Sequence, residues 1–191
     1  PGRDALLKGW GPEGRLQLGM VYLPTGNSGG RTERVAAMTK LVAEMLKGGH
    51  ALNIVTGDFN YVPDKMGRFS GDPLGYTGDG DAGEARSMET QLKRLELHEL
   101  EQVAFTYRFE ECRSRLDRVY TNIGRHEWLD KDIGCVALDW DDDLSRHRPV
   151  AAYRRSNMDV TMHERPIRND EVGGVEWSRR IQIAYLELLR D

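Results

Sequence analysis

No run of apolar residues in this chain approaches the roughly 18–20 needed to span a bilayer, and the mean hydropathy is −0.61. The opening Pro1-Gly2-Arg3-Asp4 lacks the basic-then-apolar pattern of an export signal. The expectation is an intracellular protein, in nucleus or cytoplasm, with no membrane partner. Cysteine is scarce: Cys112 and Cys135 cannot staple 191 residues, and neither belongs to a Cys-x-x-Cys zinc pattern. A reducing compartment suits that usage. Seven prolines and 21 glycines follow no period, which removes the collagen-like and low-complexity classes. Lysine is also rare, since 21 of the 27 basic residues are arginine, and 31 acids bring the net charge to −4. A uniformly basic nucleic-acid coat is therefore excluded. Local arginine clusters remain, at Arg113, Arg115 and Arg118 and again at Arg146, Arg148, Arg154 and Arg155. Their planar forks suit phosphate, although arginines paired with the abundant acids on a solvated surface would look the same and contribute little.

What is present reads as one domain with a tail. Leu16 to Leu23 has the profile of a strand, closed by Pro24 and a glycine-rich loop. From Thr32 a helical period places Val35, Met38, Val42 and Met45 on one face, and Gly48-Gly49 ends it. Leu52 to Val55 predicts a buried strand that delivers Thr56-Gly57-Asp58 to a loop. Residues 63–83, rich in Gly, Asp and Pro, predict a long surface loop. A second helix is expected over 84–95, with Met88, Leu92 and Leu95 inward. Strands are expected over 103–109, 116–121, 135–138 and 149–153. The alternation makes an α/β (α+β) domain. Residues 154–174 read as a linker, and Trp177, Ile181, Ala184, Tyr185 and Leu188 mark an amphipathic helix over 175–191 that leads out of the domain, with a downstream domain possible after it.

Three segments set polar residues directly beside an apolar strand. In Gly57-Asp58-Phe59-Asn60 an acid and an amide two apart point to one side of an extended chain. They could hold a water and a developing oxyanion, or simply form an Asx turn. In Ser114-Arg115-Leu116-Asp117-Arg118-Val119-Tyr120, Asp117 interrupts a strand, a costly place for a carboxylate without a partner. That partner is an arginine nearby or a histidine from elsewhere. In Leu144-Ser145-Arg146-His147-Arg148-Pro149-Val150, His147 titrates near neutrality, and an acid beside it would raise its pKa and select one tautomer.

Taken together and in order, the three segments resemble the endonuclease/exonuclease/phosphatase family. Val21-Tyr22-Leu23-Pro24 is similar to that family's strand ending in Tyr-x-Pro. Leu97-His98-Glu99-Leu100, running on to Phe105-Thr106-Tyr107, is similar to the corresponding stretch of non-LTR retrotransposon endonuclease domains. The resemblance covers 16–153 and makes 1–153 a partial domain of that type. It implies a four-layer α/β/β/α sandwich and Mg²⁺-dependent hydrolysis of phosphate esters by in-line attack of water. Carried over, Asp58 orients or deprotonates the water, and Asn60 helps to hold it and the phosphate oxygens. Asp117 hydrogen-bonds His147, and His147 steadies the phosphoryl charge. Tyr22, Arg115 and Arg118 are the expected substrate contacts, and DNA the expected partner.

Two departures bear on activity. Where the family's motif reads Ser-Asp-His, with the Asp helping to hold metal, this chain has Arg146, a cation beside a site for a cation. Asp141, Asp142 and Asp143 lie just upstream as the available acids. The family's leading half, with its Asn and its metal-binding Glu, has no counterpart in the few residues before Leu16. The expectation is a family fragment, its N-terminal part missing, with one sheet short and an edge exposed. It would be a retroelement-type endonuclease that has lost metal ligands. The alternatives are a non-catalytic remnant that binds nucleic acid or protein, and a phosphatase of the same family.

Overall fold

A computed structural model of the chain describes residues 3–11, 14–26, 28–78, 82–141 and 143–154. The expected linker beyond Arg154 and the expected terminal helix over 175–191 lie outside the described residues. In chain order the elements are β1 (Arg3–Gly11), β2 (Gly14–Tyr22), α1 (Ser28–Leu46), β3 (Leu52–Asp58), a 3₁₀ turn at Lys65–Gly67, β4 (Arg68–Phe69), α2 (Ala82–Lys93), β5 (His98–Glu99), β6 (Tyr107–Phe109), β7 (Cys112–Ser114), β8 (Asp117–Thr121), α3 (Arg125–Asp130), β9 (Ile133–Ala137) and β10 (Val150–Arg154).

The main sheet has five strands in the order β1-β2-β3-β8-β5. β2 and β3 run parallel, which requires the crossover that α1 supplies, and the other pairs are antiparallel. A three-stranded sheet, β4-β7-β6, and a two-stranded sheet, β10-β9, complete the pairing among the described residues. The fold is thus a mixed α/β arrangement, as expected.

Helices α1 and α2 cover one face of the main sheet. Met38, Leu41, Val42 and Met45 of α1 and Met88 and Leu92 of α2 pack on Val21, Val55, Phe59 and Tyr120. Buried apolar side chains of that size each contribute about 1.5–3 kcal/mol. Gln17 is buried in this face, and its amide donates to Met45 O at 2.9 Å and to Asn53 Oδ1 at 3.0 Å, which ties the end of α1 to β2 and β3. Between the helices, Arg34 donates to Glu84 from Nε at 2.6 Å and from Nη2 at 3.0 Å, and its Nη1 donates to Pro24 O at 2.8 Å. This buried fork holds the loop after β2 against both helices. On the opposite face, Leu16, Leu18, Met20, Leu52 and Ile54 are half-buried, and Leu18 pairs with the exposed Leu7 of β1. No described helix is long and apolar enough to cross a membrane.

Several expectations need correction. Helix α1 begins at Ser28, four residues before Thr32, because Gly29 and Gly30 carry no side chain on which a period could register. Residues 63–83 are not an uninterrupted loop, since they hold the 3₁₀ turn, strand β4 and the start of α2. The strand expected over 103–109 is confined to β6, and Val103 is 98% exposed. An apolar residue in the run is therefore not evidence of pairing there. Strands β1 and β7 and helix α3 were not anticipated. β7 is three residues of mostly exposed polar side chains, and α3 is a single polar segment whose Trp128 indole donates to Ile123 O at 3.0 Å.

Candidate active site

The ends of three neighbouring strands assemble the site. Tyr22 closes β2, Asp58 closes β3 and Asp117 opens β8, with Asp58 in register with both. Gly57 permits this approach, because a Cβ there would lie 2.0 Å from Val21 O and its φ is +133°. Beyond the strand, Leu23 N–H donates to Asp58 O at 2.8 Å and Phe59 N–H donates to Leu116 O at 3.0 Å, so the polar turn is anchored on both sides.

Asn60 adopts φ 47°, in the left-handed region that asparagine tolerates. Its backbone N–H donates to Asp58 Oδ1 at 2.8 Å. Its Nδ2 donates to Asp58 Oδ2 at 2.9 Å and to Leu23 O at 2.8 Å. Of the two alternatives read in the sequence, the Asx turn is the one this geometry shows. Both amide protons are taken, so the side chain fixes the carboxylate rather than reaching for an oxyanion. Its Oδ1 is the atom left to accept from water.

Asp58 is only 7% exposed. Burial pushes its carboxyl up to about 6; the Asn60 backbone bond opposes this, the Asp117 charge adds to it, and His147 draws it back. Asp117 lies across from it and bonds His147, whose Nδ1 is 2.8 Å from Asp117 Oδ2. The carboxylate accepts, so Nδ1 carries the proton and Nε2 faces the other way. There it lies 3.8 Å from Asp58 Oδ2. The hydrogen bond to Asp117 raises the imidazole pKa above its ordinary value, against the effect of its own partial burial. The four residues singled out for chemistry, Asp58, Asn60, Asp117 and His147, are therefore in one place.

Thr106 was missed as a site residue. It is fully buried, and its Oγ1 accepts from Leu116 N–H at 3.0 Å and Asp117 N–H at 2.9 Å. Its carbonyl accepts from Arg148 N–H at 2.8 Å, one residue after His147. One threonine thus joins the segments that present the acid and the imidazole. Its only sequence signal was its place in Phe105-Thr106-Tyr107. Tyr107 also bridges to His147, and the two rings meet at a tilt of 52° with centroids 4.8 Å apart.

The expected substrate contacts fare differently. Tyr22 stands at the rim, 52% exposed. Arg115 is held by Glu99 Oε1 at 3.0 Å and Gln102 O at 3.1 Å. Arg118 is 1% exposed, and its Nη2 donates to Tyr61 O and Arg115 O, both at 3.2 Å. Strand alternation is the reason: Asp117 and Arg118 must face opposite sides of β8, and Arg118 takes the helix-covered one. In this structure neither arginine is available to a ligand at the Asp58 site. Arg146 is exposed, with its guanidinium 4.4 Å from the centre of the Phe109 ring.

No family model matches the chain, and no curated protein does. Solved structures do. An AP endonuclease from Archaeoglobus fulgidus aligns at TM-score 0.54 and 15% identity, over 74% of this chain and 62% of that one. The endonuclease domain of TRAS1, a telomere-specific non-LTR retrotransposon, aligns at 0.51 and 16%, over 81% and 64%. The 3′–5′ exonuclease NExo from Neisseria meningitidis aligns at 0.53 and 16%, over 73% and 61%. This chain has the endonuclease/exonuclease/phosphatase fold. It spans a little over six-tenths of the length of each of those structures, at 62%, 64% and 61%.

The Mg²⁺ expected from resemblance to the endonuclease/exonuclease/phosphatase family needs several oxygen ligands at near-octahedral positions. Among the described residues no group of three or more His, Cys, Asp or Glu side chains is placed to hold a metal ion. Asp58 is bonded through both oxygens to Asn60, and Asp117 is bonded to His147. Asp141 accepts from Asp143 N–H at 3.2 Å and is exposed, and Asp142 lies outside the described residues. The donors among the described residues do not fit Mg²⁺.

Proposed function

We propose that this chain supplies the general-base and imidazole pole of a phosphodiester hydrolase of the retroelement-endonuclease type, acting on DNA in nucleus or cytoplasm. The observation that carries the reading is the run Asp117–His147–Asp58. One imidazole is oriented by the first carboxylate and turned towards a second, buried one whose carboxyl titrates at about 6. Near neutral pH, Asp58 is ionised and able to take a proton from a water that Asn60 Oδ1 helps to place. The water oxygen would bond to phosphorus as the opposite P–O ester bond breaks, the departing oxygen taking its proton from solvent. His147, whose cationic form Asp117 favours, would present Nε2–H to the phosphoryl oxygens. Tyr22 borders the substrate. The half-buried apolar face of the main sheet supports packing against a second sheet, as in the four-layer sandwich.

The test is nicking of supercoiled DNA by the whole chain, with and without added Mg²⁺. Asp58→Ala should lower the rate by about 10²–10⁴-fold, the ordinary contribution of a general base. A fully active Asp58→Ala protein would sink the proposal. A second reading, nucleic-acid binding without hydrolysis, is favoured by the poor fit of the donor set to Mg²⁺. It predicts salt-sensitive retention of DNA with no nicks under either condition. The phosphatase alternative shares the same pole and is separated by release of inorganic phosphate from a 3′-phosphorylated oligonucleotide.

A further inference from the structure

Strand β6 presents two aromatic rings beside the site, and each carries a cation or potential cation. Tyr107 and Phe109 are two apart, so they face the same side and stand roughly 7 Å apart at about 3.4 Å per residue. The His147 imidazole lies against Tyr107, with centroids 4.8 Å apart, and the Arg146 guanidinium lies 4.4 Å from the centre of Phe109. The backbone holds this alignment: Tyr107 bridges to His147, and Arg108 N–H donates to Arg146 O at 3.0 Å. The two groups therefore rest against neighbouring rings of one strand, and each offers N–H donors for charge-assisted bonds to a phosphate.

Arg146 also differs from the arginines near it. Arg115 and Arg118 are tied to protein oxygens, and Arg148 donates to Leu138 O and Ala137 O. Among the described residues the Arg146 guanidinium is in no ion pair. Its side-chain partner there is the Phe109 face. That stacking restrains the long side chain while leaving its N–H edge to solvent. Among the described residues, the carboxylates that face the imidazole are Asp117, already bonded to Nδ1, and Asp58, 3.8 Å from Nε2. An anion entering from the Arg146 side meets the guanidinium before it meets Asp58.

We propose that Arg146 and His147 form a phosphate-binding pair that takes a phosphate ester directly, with no divalent cation between protein and ligand. Phe109 is the positioning residue for Arg146. The arginine supplies at this position a fixed positive charge where the resembled motif has a metal-holding acid. This rests on the reading of the His147 pole as the phosphate-handling end of the site.

The experiment is a titration of the whole chain with inorganic phosphate, and in parallel with dimethyl phosphate, in EDTA, following the His147 ring resonances by NMR. The expected result is a saturable shift that Arg146→Gln weakens at least tenfold. Arg146→Lys should keep part of the affinity, and Phe109→Ala should weaken it several-fold while the amide spectrum remains that of the folded chain. An affinity unchanged by Arg146→Gln, or a shift seen only after Mg²⁺ is added, overturns the proposal. The nicking assay separates the two failures. Asp58-dependent nicking without EDTA-resistant phosphate binding removes this inference alone, whereas a fully active Asp58→Ala protein removes the hydrolase reading and leaves the titration to stand or fall by itself.

Discussion

Replacing Asp58 with asparagine should stabilise the protein, and only at a pH where the native carboxyl is ionised. Burial lifts that carboxyl from 3.8 to about 6. The folded chain thus holds the proton more tightly than the unfolded chain does. The associated stability is fully present below about pH 4 and is lost as pH rises through 6. The difference corresponds to about 3 kcal/mol of penalty on the ionised form at pH 8. Asparagine removes that penalty but turns an amide towards Asn60 Nδ2, so one of the Asn60 bonds is lost, at about 1 kcal/mol. The attraction to His147 is already contained in that shift, so the expected net effect is about 2 kcal/mol of added stability at pH 8. At pH 4 the same substitution should destabilise by about 1 kcal/mol, since only the lost bond remains. Urea unfolding of both proteins at the two pH values measures this directly. If Asp58→Asn destabilises equally at pH 4 and pH 8, the carboxyl is not paying a burial penalty and the account of it as a base poised near neutrality is wrong.

Further outcomes follow from the same contacts. Asp117→Asn should let the His147 pKa, read by NMR, fall back towards or below its ordinary value, because the bond to Asp117 is the largest cause of its elevation. The raised imidazole contributes stability that is present below pH 6.5 and lost as pH passes its folded value, so this variant should also flatten the stability profile above pH 6.5. Thr106→Val leaves Leu116 N–H and Asp117 N–H without their acceptor. It should cost about 2 kcal/mol or more in urea unfolding, and an unchanged midpoint would show that the hydroxyl joins nothing. Arg118→Met should lower stability by about 1–3 kcal/mol through the carbonyls it abandons, while oligonucleotide affinity measured by anisotropy stays the same. A drop in affinity with a retained fold would return Arg118 to the list of substrate contacts.

The residues proposed to carry the chemistry were legible because each breaks a local rule. An acid in a strand, an acid and amide two apart after an apolar run, and a histidine in a polar loop all call for partners, and the structure supplies them in one place. Helices α1 and α2 were legible from their apolar period, since Met38, Val42, Met45, Met88 and Leu92 are all buried. What was not legible lacks such a pattern. Thr106 acts through a single oxygen, and threonine in an aromatic stretch looks like any strand residue. Arg118 looked like its neighbours Arg113 and Arg115, and only the parity of β8 shows that it points into the core. Val103 suggested a strand by its type, but it has no ladder to join.

That parity has a consequence for how the chain must assemble. Asp58 stands opposite Asp117, and Gly57 opposite Arg118. A slip of one residue between β3 and β8 would exchange them, turning the arginine and Tyr120 out towards His147 and the carboxylate in against Phe59 and Tyr61. Burying an unpaired carboxylate there would cost several kcal/mol, so the alternative pairing is strongly disfavoured. Thr106 Oγ1, which takes the Leu116 and Asp117 amides together, marks the correct alignment from the other side. The Asp117–His147 contact therefore forms only when these strands have paired in one of two offsets. An elevated His147 pKa would serve as a readout of strand alignment in any preparation of this chain, including one that catalyses nothing.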